Sequence, residues 1–140
     1  MKQKWLWLPI GAVVVLVVLF VAWTNSKAGV ISHVQKNLAA LEIYAENCMD
    51  RPEDYVNCNG WNTAYRTHYD VVTFQVSYLG FGSQSDEIGF YYSPDGQPKD
   101  FGCDLGQAST ESGIRFLGEG DNYVETEPIA ENWFWFEQHW

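Results

Sequence analysis

The sequence predicts an α+β fold, in which a long N-terminal helix packs on a small antiparallel sheet. Three observations predict it: an uncharged apolar run over residues 5–23, an apolar stripe at helical spacing from Val30 to Cys48, and a β-branched and aromatic stretch over 70–93 broken by turn residues. A chain of 140 residues holds one modest domain beside such a helix.

The first element is a short basic stub, residues 1–4, with Lys2 and Lys4. Residues 5–23 follow without a charge, and nineteen residues at helical rise reach about 28 Å, the depth of a bilayer's hydrocarbon core. At about −0.3 to −0.6 kcal/mol for each strongly apolar side chain, insertion is favoured by roughly 4–7 kcal/mol. In lipid the backbone must satisfy its own hydrogen bonds, so a Val-rich run is helical there. Trp5, Trp7 and Trp23 stand at its two ends, where interfacial tryptophans sit, and the preceding lysines place the N-terminus in the cytoplasm. The expected topology is therefore a single-pass anchor with the main domain periplasmic or extracellular.

Residues 24–50 continue as an amphipathic helix. Val30, Val34, Leu38, Leu41, Ala45 and Cys48 recur every three or four positions, one stripe of a helix. Thr24-Asn25-Ser26 and Gly29 mark the place for a kink, and Pro52 lies beyond the expected end. Residues 51–140 form the exported, sheet-rich region. The turn-rich stretch 56–65 is read as a crossing and 70–81 as the clearest strand. After a turn at 82–86, residues 87–93 make a second strand ended by Pro94-Asp95-Gly96. Shorter strands are expected at 114–117 and 123–126. The tail crowds Trp133, Phe134, Trp135, Phe136 and Trp140 into eight residues. Such a cluster forms a last strand on the domain's own core, docks a partner subunit, or dips into the membrane interface; the partner surface is the candidate site.

Charge is split along the chain. Residues 1–41 carry four lysines and no acid, a formal +4, while 42–140 set four cations against all 18 acids, a formal −14. A domain that acidic repels phosphate backbones, which argues against nucleic acid as a partner. Outside the cytoplasm, Cys48, Cys58 and Cys103 imply one disulfide and one odd thiol. Cys48–Cys58 would tie the helix end to the following loop; Cys58–Cys103 is the alternative. His33, His68 and His139 match no ligand spacing, and no CxxC or HExxH is present. Asp95, Asp100 and Asp104, or Asp121, Glu125 and Glu127, do not fit a calcium loop. No catalytic residues, cofactor or metal are expected, and no enzyme.

Lys2-Gln3-Lys4 ahead of the apolar run, the stripe from Leu38 to Asn47, and the strand–turn order of Thr73–Ser77, Gly82–Asp86, Gly89–Ser93 and Asp95-Gly96 together resemble the type IV pilin and pseudopilin family. The resemblance implies a structural subunit of a surface filament or secretion pseudopilus, partnered by other filament or membrane subunits, copies of itself included. One position departs from the pattern: Pro9 stands fifth from Trp5, where those proteins carry a Glu after their processing site. The alternative role is an accessory single-span subunit of a larger inner-membrane complex, docking through its exported domain and aromatic tail.

Overall fold

A computed structural model describes residues 7–50, 63–67 and 69–140. The fold is α+β: α1 (Trp7–Thr24) and α2 (Lys27–Met49) precede one antiparallel sheet of β1 (Thr63–Arg66), β2 (Val72–Phe81), β3 (Gln84–Tyr92), β4 (Gly106–Ser109), β5 (Ile114–Leu117), β6 (Tyr123–Ala130) and β7 (Trp133–His139). Its spatial order is β1-β2-β3-β7-β6-β5-β4. Two meanders thus meet at β7, the last strand in sequence.

The single helix expected over 5–50 is two helices, bent by 72° at Thr24–Ser26. Short polar side chains end α1 by bonding back to its carbonyls: Thr24 Oγ1 donates to Val21 O at 2.9 Å, Asn25 Nδ2 to the same oxygen at 3.0 Å, and Ser26 Oγ to Trp23 O at 2.6 Å. Ser26 then caps α2, accepting from Gly29 N at 3.2 Å. The chain folds back so tightly that a Cβ on Gly29 would lie 2.0 Å from Trp23 O. The bend is therefore written into three adjacent side chains and one missing one.

α2 lies across the strands. Ala64, Phe74, Phe90, Trp135 and Glu127 stand opposite one another through β1, β2, β3, β7 and β6, and α2 follows that row. Lys27 meets Glu127 and Trp135 at one end, His33 packs 6.4 Å from the Phe90 ring, and Tyr44 packs 5.9 Å from Phe74. The stripe read from sequence is the buried face, with Val30, Val34, Leu41, Ala45 and Cys48 inside. Alternation sends Val72, Phe74, Phe90, Tyr92, Trp133 and Trp135 to this helix side.

The other side of the sheet has a second core of Val71, Tyr91, Phe101, Cys103, Val124, Phe134 and Phe136. Among the described residues no helix covers it; the segment 93–105 does, pinned by side-chain bonds. Ser93 Oγ donates to Asp95 Oδ1 at 2.7 Å, Gln97 N to the same oxygen at 3.0 Å, and Lys99 pairs with Asp95. A relay runs inward from Lys99 N to Tyr91 Oη at 3.1 Å, on to Thr126 Oγ1 at 2.8 Å and to Trp135 O at 3.1 Å. Thr126 spends its proton on Trp135 O, so Tyr91 must donate to Thr126. Phe101 takes a left-handed backbone (φ 49), uncommon for a bulky residue, and puts its ring edge-on to Tyr91 at 5.2 Å.

The aromatic tail is the join of the two halves. β7 pairs with β3 on one side and β6 on the other. Trp133, Phe134, Trp135 and Phe136 alternate between the two cores and are at most 6% exposed, and Trp140 packs against the second core. Of the expected roles, the structure realises the strand on the domain's own core. Of the partner-contact residues expected at Trp133, Phe134, Trp135, Phe136 and Trp140, the first four are inside the two cores, and Trp140 is half-buried against the second.

Candidate functional site

The functional features gather at the helix junction and at one end of the sheet. On α1 every described apolar side chain from Ile10 to Val21 is about half or more exposed, Leu16 and Phe20 at 65%, and α1 touches α2 but no strand. Among the described residues no single helix is long and apolar enough to cross a membrane; Ile10–Thr24 and Lys27–Met49 pass that test together, as a bent pair. Trp23 is half-exposed at the junction, Trp7 begins α1, and Trp5 lies outside the described residues.

A cleft of about 220 Å³ opens inside the bend, lined by Phe20, Trp23 and Thr24 of α1 and by Gly29, His33 and Lys36 of α2. Burial pulls the His33 imidazole below its usual pKa, so it is neutral at physiological pH. Below the cleft Lys27 pairs with Glu127, lies 4.5 Å from the Trp135 ring centroid, and reaches Ser112 Oγ at 3.4 Å. This clasp fixes the first turn of α2 to β6 and β7.

Beyond α2, the helix side of β5, β6 and β7 carries a polar ladder. Ile88, Glu137, Glu125 and Arg115 form one cross-strand row, and Asp86, His139, Tyr123 and Leu117 the next. Glu125 and Glu137 face each other across the ladder, and each has its own donor. Arg115 bonds Glu125 Oε2 at 2.6 and 3.1 Å, and Tyr123 Oη donates to Glu137 Oε1 at 2.8 Å. The Arg115 guanidinium lies 4.3 Å over the Tyr123 ring, and the His139 ring stacks on the same phenol at 5.6 Å. His139 Nδ1 bonds Asp86 Oδ1 at 2.5 Å, with Asp121 3.6 Å from Nε2. The Asp86 hydrogen bond, seconded by the Asp86 and Asp121 charges, raises the imidazole pKa. Burial first, then Glu137, pushes the Tyr123 phenol up to about 12. A phenol held that high keeps its proton and donates it, so Tyr123 holds β6 to β7 through a proton that stays in place.

At the same end of the strands the β2–β3 hairpin runs past the rest of the sheet. Leu79 is 71% and Phe81 92% exposed, with Tyr78 at 59%. Leu105 and Leu117 are also exposed and lie at this end, Leu117 in the Asp86–His139 row and Leu105 bonded through its N–H to Leu117 O.

Among the cysteines, Cys48 is buried under α2 and Cys103 is a free thiol buried in the core on the opposite face, its pKa raised by burial. The expected Cys48–Cys58 link involves Cys58, which lies outside the described residues; the Cys58–Cys103 alternative does not form. Sequence reasoning missed the Lys27 clasp and the polar ladder, because their partners sit as far apart in sequence as Lys27 and Trp135, with no local signal. It read Tyr78, Leu79 and Phe81 only as strand, although the absence of charge from Val71 to Ser85 marked them. No protein-family model, curated protein or solved structure matches the chain.

Proposed function

We propose that the protein is a membrane-anchored, non-enzymatic assembly subunit: residues 5–23 sit in a bilayer, the N-terminus is cytoplasmic, and the sheet domain is held outside as an accessory part of a larger membrane complex. The observation that carries this reading is α1, whose apolar side chains from Ile10 to Val21 stay about half or more exposed and meet no strand of the sheet. Apolar surface of this kind from Ile10 to Trp23 in water would cost the chain several kcal/mol that lipid or a neighbouring helix removes. The Lys27 clasp and the Gly29 turn support it, since they give the anchor a fixed attachment to the exported domain.

The filament-subunit reading draws on one specific feature: α2 lays its apolar face across an antiparallel sheet while α1 projects, the arrangement a pilin-like subunit uses. The 72° bend and Pro9 weigh toward the accessory role, because helices stacked in a filament core need a long uninterrupted rod. Alkaline carbonate washing of membranes tests the anchor, with retention in the pellet expected and release overturning it. Shearing intact cells separates the roles: the accessory subunit stays with the membrane and co-purifies in mild detergent with stoichiometric partners, whereas recovery in a sheared polymer establishes the filament.

A further inference from the structure

We infer that the tip of the β2–β3 hairpin is a second membrane contact, with Tyr78, Leu79 and Phe81 dipping into the interface of the bilayer that α1 enters. The inference rests on the anchor reading above and adds a surface to it.

Three observations converge. All the large apolar side chains that the described part of the sheet region exposes, Tyr78, Leu79, Phe81, Leu105 and Leu117, lie at one end of the strands. That end is also where charge is absent from the protruding segment, Val71 to Ser85, in a domain otherwise at −14 over residues 42–140. An acidic surface is repelled by anionic headgroups, so an uncharged, aromatic tip is the part of this domain a bilayer accepts. Tyr and Phe favour that depth, where a ring is half in hydrocarbon and half in headgroup.

The third observation is direction. At 100° per residue, His33 and Asn37 lie on one flank of α2, and Glu42 and Glu46 on the other. Glu42 and Glu46 raise the Tyr92 pKa after burial does, so their flank faces the Tyr92 end of β3, away from the hairpin. His33 and Asn37 line the cleft with Phe20 and Trp23 of α1, so α1 leaves α2 on the flank that faces the hairpin end. The anchor and the hairpin therefore project toward the same side of the domain.

Depth agrees with direction. Leu79 pairs with Asp86, Gly80 with Ser85 and Phe81 with Gln84. Phe81 thus lies two residues beyond the nearest acid of the ladder, roughly 7 Å at about 3.3 Å per strand residue. Interfacial segments bury about 5–10 Å, so the tip enters while Asp86, already paired with His139, stays in the headgroup layer.

The test uses the full chain reconstituted into phosphatidylcholine vesicles whose acyl chains carry a clickable tag. A benzophenone amino acid replaces Val17 in α1, Phe81 at the tip, or Glu131 in the β6–β7 turn at the far end of the sheet, one site at a time. Phe81 and Glu131 are exposed, so neither replacement disturbs the core. Lipid adducts at 17 and at 81, with the yield at 81 at least fivefold above that at 131, are the expected result. Adducts at 17 with none at 81, equal yields at 81 and 131, or a protein rather than lipid adduct at 81, would overturn the second contact and leave the anchor standing. No adduct at 17 would remove the anchor reading itself and the hairpin contact with it.

Discussion

At the scale of single residues, His139 is the most informative. Its ring is squeezed between the Tyr123 phenol and two carboxylates, and the Asp86 bond raises its pKa above the ordinary value. A group whose folded pKa is raised adds stability below its unfolded pKa of about 6.5 and loses it as pH climbs through the folded value. The stability gap between the native chain and His139→Gln, read by urea unfolding, should therefore be widest near pH 5.5 and narrow above neutrality. A gap that grew with pH would contradict the assignment. Gly29 carries a different lesson. Gly29→Ala must move the chain, since Trp23 O stands 2.0 Å from the new carbon, and the soft place is the junction. Spin labels at Phe20 and Lys36 should report a wider α1–α2 cleft, with sheet stability changed by no more than about 0.5 kcal/mol. Thr24, Asn25, Ser26 and Gly29 were legible as a kink because their chemistry is local. The partners of His139 were not, because strands decide which distant residues meet.

Among the elements, α2 and β5 were the most legible. The stripe from Val30 to Cys48 matched the buried face because one side of a helix meets the core and the other meets water, which gives a period. β7 defeated the same reasoning. Trp133 to Phe136 are buried on both faces, so hydrophobicity does not alternate, and a run of four aromatics is silent about strand or surface. β4 was invisible for the opposite reason: Gly106 to Ser109 are all exposed, and only pairing with β5 makes them a strand. β6 extends through Pro128, which a central strand excludes. β5 stops pairing at Thr126, so that part of β6 is an edge and tolerates a missing N–H. The burial of β7 sets a contrast. Phe136→Ala should cost about 3–5 kcal/mol, whereas Phe81→Ala in the same domain should fall within about 0.5 kcal/mol; chemical denaturation of the two variants measures both.

For the whole molecule the division is between a surface that wants water and one that does not. The +4 of residues 1–41 and the −14 of the remainder were readable at once, as was the uncharged run. The packing of Trp140 and the segment 93–105 against the second core was not, since an irregular segment covers a sheet without any periodic mark. If α1 is the anchor, one charge at its middle should loosen it: Val15→Arg costs about 2.5–3.5 kcal/mol of insertion energy. The share of protein released by carbonate should rise severalfold over the native chain, while the sheet domain keeps its fold by circular dichroism.

The position of β7 between β3 and β6 sets an order of events. Residues 84–92 and 123–130 are both made before 133–139, and each can pair with its preceding strand, yet nothing joins the two until 133–139 arrives. Until then the polypeptide holds two unjoined ribbons with open edges and no closed interior. If the domain is exported as proposed, such delay helps, because a chain without its joining strand cannot lock itself shut on the wrong side. The same delay leaves any premature stop before Trp133 with two sticky fragments and no domain.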